Sequence, residues 1–119
     1  IFIKTNSDRG GFVKDIYFKN LAFGKVEDCI YITANYHGEG SGLFPSKVSD
    51  ISFSNISCVE ATNTGIVIEG FPDKKVANIK LDNITIQAAK NGMTITNTEN
   101  VTTNEVVIGV KAITPSAAK

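Results

Sequence analysis

The chain has 119 residues, room for one domain, and its twelve basic side chains cancel its twelve acidic ones. That balance argues against a nucleic-acid or anionic-membrane partner, and no apolar run approaches the ~20 residues of a membrane-spanning helix. One histidine without a second metal-type ligand nearby argues against a zinc site, no cofactor is expected, and two cysteines fall short of a disulfide framework.

Residues 1–4 read as a short strand, with Ile1 and Ile3 inward and Phe2 and Lys4 outward. Residues 5–11, which end on Gly10 and Gly11, are a turn by composition. Residues 13–23 then alternate apolar and polar, and the same pattern returns over 48–58 and 76–86. In each copy a valine is followed by Asp or Asn, an apolar pair spaced by one, an Asn, and a second such pair. The alternation jumps phase at the Asn: Ile51 and Phe53 share one parity, Ile56 and Cys58 the other. A strand cannot change faces without bending, so the chain is predicted to turn at Asn20, Asn55 and Asn83. Asn suits a corner because it tolerates the left-handed conformation and hydrogen-bonds locally.

Short strands follow each copy, at 30–33, 65–69 and 93–95. Val13 to Ile30 is 17 residues, Val48 to Ile66 is 18, and Val76 to Met93 is 17. The return to the next valine varies from 6 to 16 residues, so insertions are confined to one side. A repeat with one constant side and one side open to insertion marks a solenoid. With three strands per coil and no helical pattern, the expected fold is an all-β, right-handed parallel β-helix of about four coils. It is expected to occupy residues 1–110, with 111–119 as a C-terminal tail. The longest insertion, 34–45, is a Gly-rich loop, and loops on one edge of a solenoid often carry function. Aligning Val101 with Val76 puts Asn104 where Ile79 stands and Ile108 where Asn83 stands, which predicts a degraded terminal repeat.

Stacked in register, Ile1, Ile30, Ile66 and Met93 form one interior column. Ile3, Ile32, Ile68 and Ile95 form a second, and Phe18, Phe53 and Leu81 a third. Asn20, Asn55 and Asn83 form an amide ladder. Asn55 and Asn83 also open glycosylation sequons, as does Asn100; the ladder makes the first two structural. Cys58 takes the core position of Phe23 and Ile86 and reads as a small buried hydrophobe. Cys29 stands where Gly65 and Gly92 stand in later coils, and the two thiols are not expected to meet. The first residue is Ile and already reads as strand, so the chain is expected to be either processed or, the favoured alternative, a piece of something longer.

Ile3-Lys4-Thr5, the Gly10-Gly11 turn, the motif over 13–23, and the run from Ile30 to an Asn-Tyr pair at Tyr36 together resemble the polygalacturonase family of glycoside hydrolases (family 28). The resemblance covers most of residues 1–110. It implies a right-handed parallel β-helix that hydrolyses α-1,4-galacturonan with inversion, a secreted or periplasmic location, and an acidic polysaccharide such as pectin as partner. Inversion needs one carboxyl group to protonate the leaving oxygen and others to activate water on the opposite face. The family draws these from an Asn-Thr-Asp element and an Asp-Asp pair, followed by Gly-His-Gly, all ahead of an Arg-x-Lys-type strand. This chain begins at that strand and contains none of the three, so no catalytic residue is expected in it.

What the resemblance carries over is Lys4, as the cation that binds the substrate carboxylate, and Tyr36, as a substrate-contacting tyrosine. Phe2 stands where the family has arginine, which removes a bidentate carboxylate partner. Arg9 and His37 are further candidates on the substrate loops. Without the resemblance, Lys4 would read as a solvated lysine and Tyr36 as a packing residue. Glu69 and the charged turn at Asp73, Lys74 and Lys75 read as surface. Two functions from different classes follow: the C-terminal part of a pectin-degrading glycosidase, itself inactive, or a non-catalytic β-solenoid that binds polysaccharide or serves as structure. Self-association through an uncovered first coil is expected of the isolated chain.

Overall fold

A computed structural model describes residues 1–5, 10–34 and 46–110. The described residues form strands β1 (Phe2–Lys4), β2 (Phe12–Thr33), β3 (Lys47–Glu69), β4 (Val76–Thr96) and β5 (Thr98–Val110), with no helix among them. Each strand pairs in parallel with the next, in the order β1-β2-β3-β4-β5.

β2, β3 and β4 run 22, 23 and 21 residues, several times the usual strand length. They reach it by bending. Asn20, Asn55 and Asn83 have φ of 59°, 56° and 53°, so the predicted corners are left-handed single residues. Pairing continues through them, and the polar stretch at 24–29 also keeps its partners, with Lys25 opposite Glu60 and Val26 opposite Ala61. Each long strand is thus a bent rung laid on the one before it: a parallel β-helix.

The interior columns form in register but stay open at their last members: Met93 is 36% and Ile95 40% exposed, because among the described residues β5 pairs with β4 only as far as Ala89. Ile30, Ile66 and Met93 are register partners, as are Ile32, Ile68 and Ile95. Phe18, Phe53 and Leu81 are partners too, and the rings of Phe18 and Phe53 stack at 5.1 Å. Phe53, Ile51, Ile79, Ile84 and Ile86 are wholly buried. At the corner, Asn55 Nδ2 donates to Asn20 Oδ1 at 3.0 Å and Asn83 Nδ2 to Asn55 Oδ1 at 2.7 Å.

The 18-residue spacing in the second copy has a local cause. The register slips by one between Ala61 and Thr64, so β3 carries an extra residue against both neighbours. Asp28 clamps this bulge: its Oδ1 accepts from Asn63 Nδ2 at 3.1 Å and from the Thr64 backbone N–H at 3.0 Å.

Three findings depart from the sequence reading. There is a second left-handed corner, at Asp15, Asp50 and Asn78, with φ of 58°, 57° and 58°. It has its own ladder, Asn100 to Asn78 at 3.0 Å and Asn78 to Asp50 at 3.1 Å. The last rung aligns three residues earlier than Val101 against Val76 implies. Thr98 faces Val76, Val101 faces Ile79, Val106 faces Ile84 and Ile108 faces Ile86. Both corners persist there, at Asn100 (φ 56°) and Glu105 (φ 55°), so the bends of the rung are kept although β5 runs only 13 residues and has lost the corner Asn at 105. Thr98 and Thr103 replace Val76 and Leu81, which hides the pattern. Finally, Cys29 and Cys58 do meet. Both are free thiols in the core, and they share a hydrogen bond, while Cys58 Sγ also donates to the Gly24 carbonyl at 3.6 Å. They come from different rungs and face one another across the interior.

Candidate functional site

The strand bearing Lys4 is pinned at both ends. The Tyr31 N–H donates to the Ile1 carbonyl at 2.9 Å, and the Thr5 N–H donates to the Thr33 carbonyl at 3.0 Å. Thr5 is buried, its hydroxyl 2.8 Å from that of Ser46, which in turn donates to the Gly10 carbonyl at 2.8 Å. The Thr of the Ile-Lys-Thr element therefore ties the strand end to the next rung, and the alternation of the strand turns Lys4 outward.

Lys4 lies in a transverse row with Thr33, Glu69 and Thr96, and Phe2 in the adjacent row with Tyr31, Val67 and Thr94. The Phe2 and Tyr31 rings stack at 4.8 Å with 19° between their planes. Lys4 Nζ sits 5.6 Å from the Phe2 ring centroid, within cation–π range. Phe2 keeps 54% of its surface exposed.

The Tyr31 hydroxyl is held above the usual phenol range. Burial is the main cause, followed by the charges of Glu69 and Asp28 and a hydrogen bond with Glu69. Tyr31 therefore stays neutral and acts as a donor, with Glu69 as its acceptor. Glu69, read from sequence as surface, is half-buried and takes part in this face. The residue that sequence reasoning missed here is Tyr31. Its signal was its parity: it shares the outward phase of Phe2 one rung later.

The face thus combines an aromatic pair, an ammonium group and the Glu69 carboxylate, with Asp28 near enough for its charge to act on Tyr31. It can hold a flat, hydroxylated ligand and a negative group near Lys4. Of the two carboxylates whose charge reaches the Tyr31 hydroxyl, Glu69 is its hydrogen-bond partner and Asp28 is engaged at the β3 bulge. Of the other residues expected to contact a ligand, Tyr36, Arg9 and His37 lie outside the described residues.

A groove of about 470 Å³ lies elsewhere, lined by Tyr17, Ser52, Lys80 and Thr102 and by the second corner ladder. It does not include Lys4, and the sequence reading did not single it out.

Two comparisons bear on these features. A probable polygalacturonase of Vitis vinifera is 30% identical over 92 residues, which cover 75% of this chain and 19% of that protein. The chain thus spans only a small part of the length of the curated relative it matches. The family model for glycosyl hydrolases family 28 matches residues 1–107, nearly the whole rung system. With its parallel rungs and its outward Lys4 within that match, this chain belongs to glycosyl hydrolases family 28.

Proposed function

We propose that this chain is the substrate-holding part of a polygalacturonase-like glycoside hydrolase acting on α-1,4-galacturonan. The acid and base carboxylates would be supplied by coils upstream of residue 1. The observation that carries the reading is the Lys4 face. A lysine in a family-28 element projects outward from a strand braced by Thr5, beside an exposed aromatic ring. An ammonium group in that position provides a charge-assisted contact to a uronate carboxylate. Phe2 in place of arginine leaves this contact without a bidentate partner, so selectivity for the free acid over its methyl ester should be modest.

The division of labour follows from chemistry. Inverting cleavage needs two carboxyl groups about 6.5–9.5 Å apart on opposite sides of the bond. Among the described residues, the outward face around Lys4 carries Glu69 alone on its short strands. The 119 residues by themselves should therefore release no reducing ends from polygalacturonate. A longer protein that includes the upstream coils should. In it, Lys4→Ala should weaken binding and slow turnover on charged uronan while sparing a neutral glycan. Equal losses on both substrates would refute the assigned role of Lys4. Cleavage by the isolated chain would refute the division of labour.

The mixed aromatic and charged face also supports a second reading, in which the chain is a non-catalytic solenoid that binds polysaccharide. Hydrolysis by the longer protein, abolished by removing an upstream Asp, decides against it.

A further inference from the structure

Tyr17, Ser52, Lys80 and Thr102 are successive register partners on β2, β3, β4 and β5, all on the outer surface. Long side chains alternate with short ones along this row, so Ser52 and Thr102 leave hollows between Tyr17 and Lys80 and beyond Lys80. The groove of about 470 Å³ takes in both hollows, from Tyr17 to Thr102, and a second of about 260 Å³ adjoins it at Lys80 and Thr102 and extends toward Asp82 and Asn104. Together they make a trough that crosses four strands, roughly 14 Å at the usual ~4.8 Å spacing.

The wall of the trough is the corner ladder. Asp50 Oδ1 accepts from Asn78 and Asp50 Oδ2 accepts from Ser49, while Asn78 Oδ1 accepts from Asn100. Each ladder carboxamide spends one N–H on the ladder and has a second that projects from it. Thr102 donates to the Ile79 carbonyl at 3.4 Å, so its oxygen retains its acceptor capacity. On the far side, Asp82 Oδ1 is occupied by Asn104. The lining therefore offers amide donors, hydroxyl oxygens, a flat ring that is 76% exposed and the ammonium group of Lys80, beside the carboxylates of Asp50 and Asp82, which accept from Asn78 and Ser49 and from Asn104.

We propose that this trough is a second binding site, distinct from the Lys4 face, for an extended uronate-bearing saccharide. The Tyr17 ring covers the C–H face of one sugar ring. The second N–H groups of Asn78 and Asn100, with the Ser52 and Thr102 hydroxyls, meet sugar hydroxyls, and Lys80 meets a carboxylate. The choice of a uronate rests on Lys80 and on no step of hydrolysis. The site makes the solenoid hold a polymer on two faces, so that one chain segment stays tethered while another lies at Lys4.

The test is a titration of the isotopically labelled 119-residue chain with trigalacturonate and with an uncharged galacto-oligosaccharide of equal length, followed by NMR. Trigalacturonate should produce saturable shifts in the Asn78 and Asn100 side-chain amides and at Ser52. Tyr17→Ala should weaken those shifts by about tenfold in affinity, a difference of about 1.4 kcal/mol. Lys80→Met should remove the preference over the uncharged chain. Tyr17 and Lys80 are exposed, so both variants should keep the dispersed spectrum of the parent. Lys4→Ala should leave the trough shifts in place, which separates this site from the Lys4 face whatever the outcome there. Shifts confined to the Lys4 face, no saturable shift with either ligand, equal affinity for the uncharged chain, or shifts indifferent to Tyr17→Ala would each overturn the proposal.

Discussion

Phe53 and Asn55 stand two residues apart on β3 and hold the rungs together by opposite means. Phe53 is in an interior column with Phe18 above and Leu81 below, wholly out of water. Asn55 is on an exposed corner, yet it joins two hydrogen bonds and keeps φ at 56°. The interior column asks only for apolar volume: two Phe are followed by Leu in it, and Thr103 ends it. The corner asks for a backbone angle that most side chains resist and for an amide that can both donate and accept. Exposure is thus a poor guide to constraint in this fold, since the corner is the chemically narrower position although it faces solvent.

The interior side of the comparison breaks most severely. Phe53→Asp loses at least the ~3–5 kcal/mol of a Phe→Ala truncation and adds a carboxyl group with no partner. The expected outcome in a denaturant melt is loss of the folded baseline. Ser52→Asp, one residue away and outward, is the control, with a change of about 0.5 kcal/mol or less. Similar losses in the two variants would mean that the strand's facing is wrong.

The corner side should break less and in a separable way. Asn55→Ala meets a left-handed cost of ~1–2 kcal/mol and gives up two ladder bonds worth about 1 kcal/mol each at most. About 2–3 kcal/mol of destabilisation is expected. Asn55→Gly removes the ladder bonds without the backbone cost, so its loss should be about half as large. Equal losses for Ala and Gly would show that the ladder, not the angle, sets the constraint.

A third variant probes the interior through its ionisation. Burial first, then the charge of Cys58 and a hydrogen bond with it, push the Cys29 thiol from 9.0 to about 12. The unfolded chain therefore loses this proton before the folded chain does. Stability is at its full value below about pH 9 and falls as pH rises from there toward 12, by up to about 1.4 kcal/mol per pH unit. Denaturation midpoints measured at pH 8, 9.5 and 10.5 should show the decline, and Cys29→Ala should flatten it. An unchanged slope in that variant would place the titrating group elsewhere.

Much of the fold was legible because its rules are local. The phase jump around Asn20, Asn55 and Asn83 announced one corner, and the 17-, 18- and 17-residue spacings announced the rungs. The second corner carried the same signal, since Val48 and Ile51 are both buried yet three residues apart. It is harder to see because Asp15, Asp50 and Asn78 also fit the polar positions of a strand. The last rung was misaligned because Thr98 and Thr103 break the apolar pattern that finds the others. The ladder bond from Asn100 to Asn78 is what identifies its register. Of the candidate site, Lys4 was legible from its motif and parity, whereas Tyr31 and Glu69 emerged only as its neighbours across strands.

The sequence by itself determined the rung, because alternation, corner residues and constant spacing act over a few residues along one chain. It also determined which strand carries Lys4. Only the tertiary structure decided what stands beside what between rungs and across them. The contact of Cys29 with Cys58 spans the interior, the Phe2–Tyr31 stack joins residues 29 positions apart, and the trough from Tyr17 to Thr102 crosses four strands. Those neighbours are set by the register of stacking. Register depends on side-chain packing and ladder bonds summed over whole rungs, which no local pattern contains.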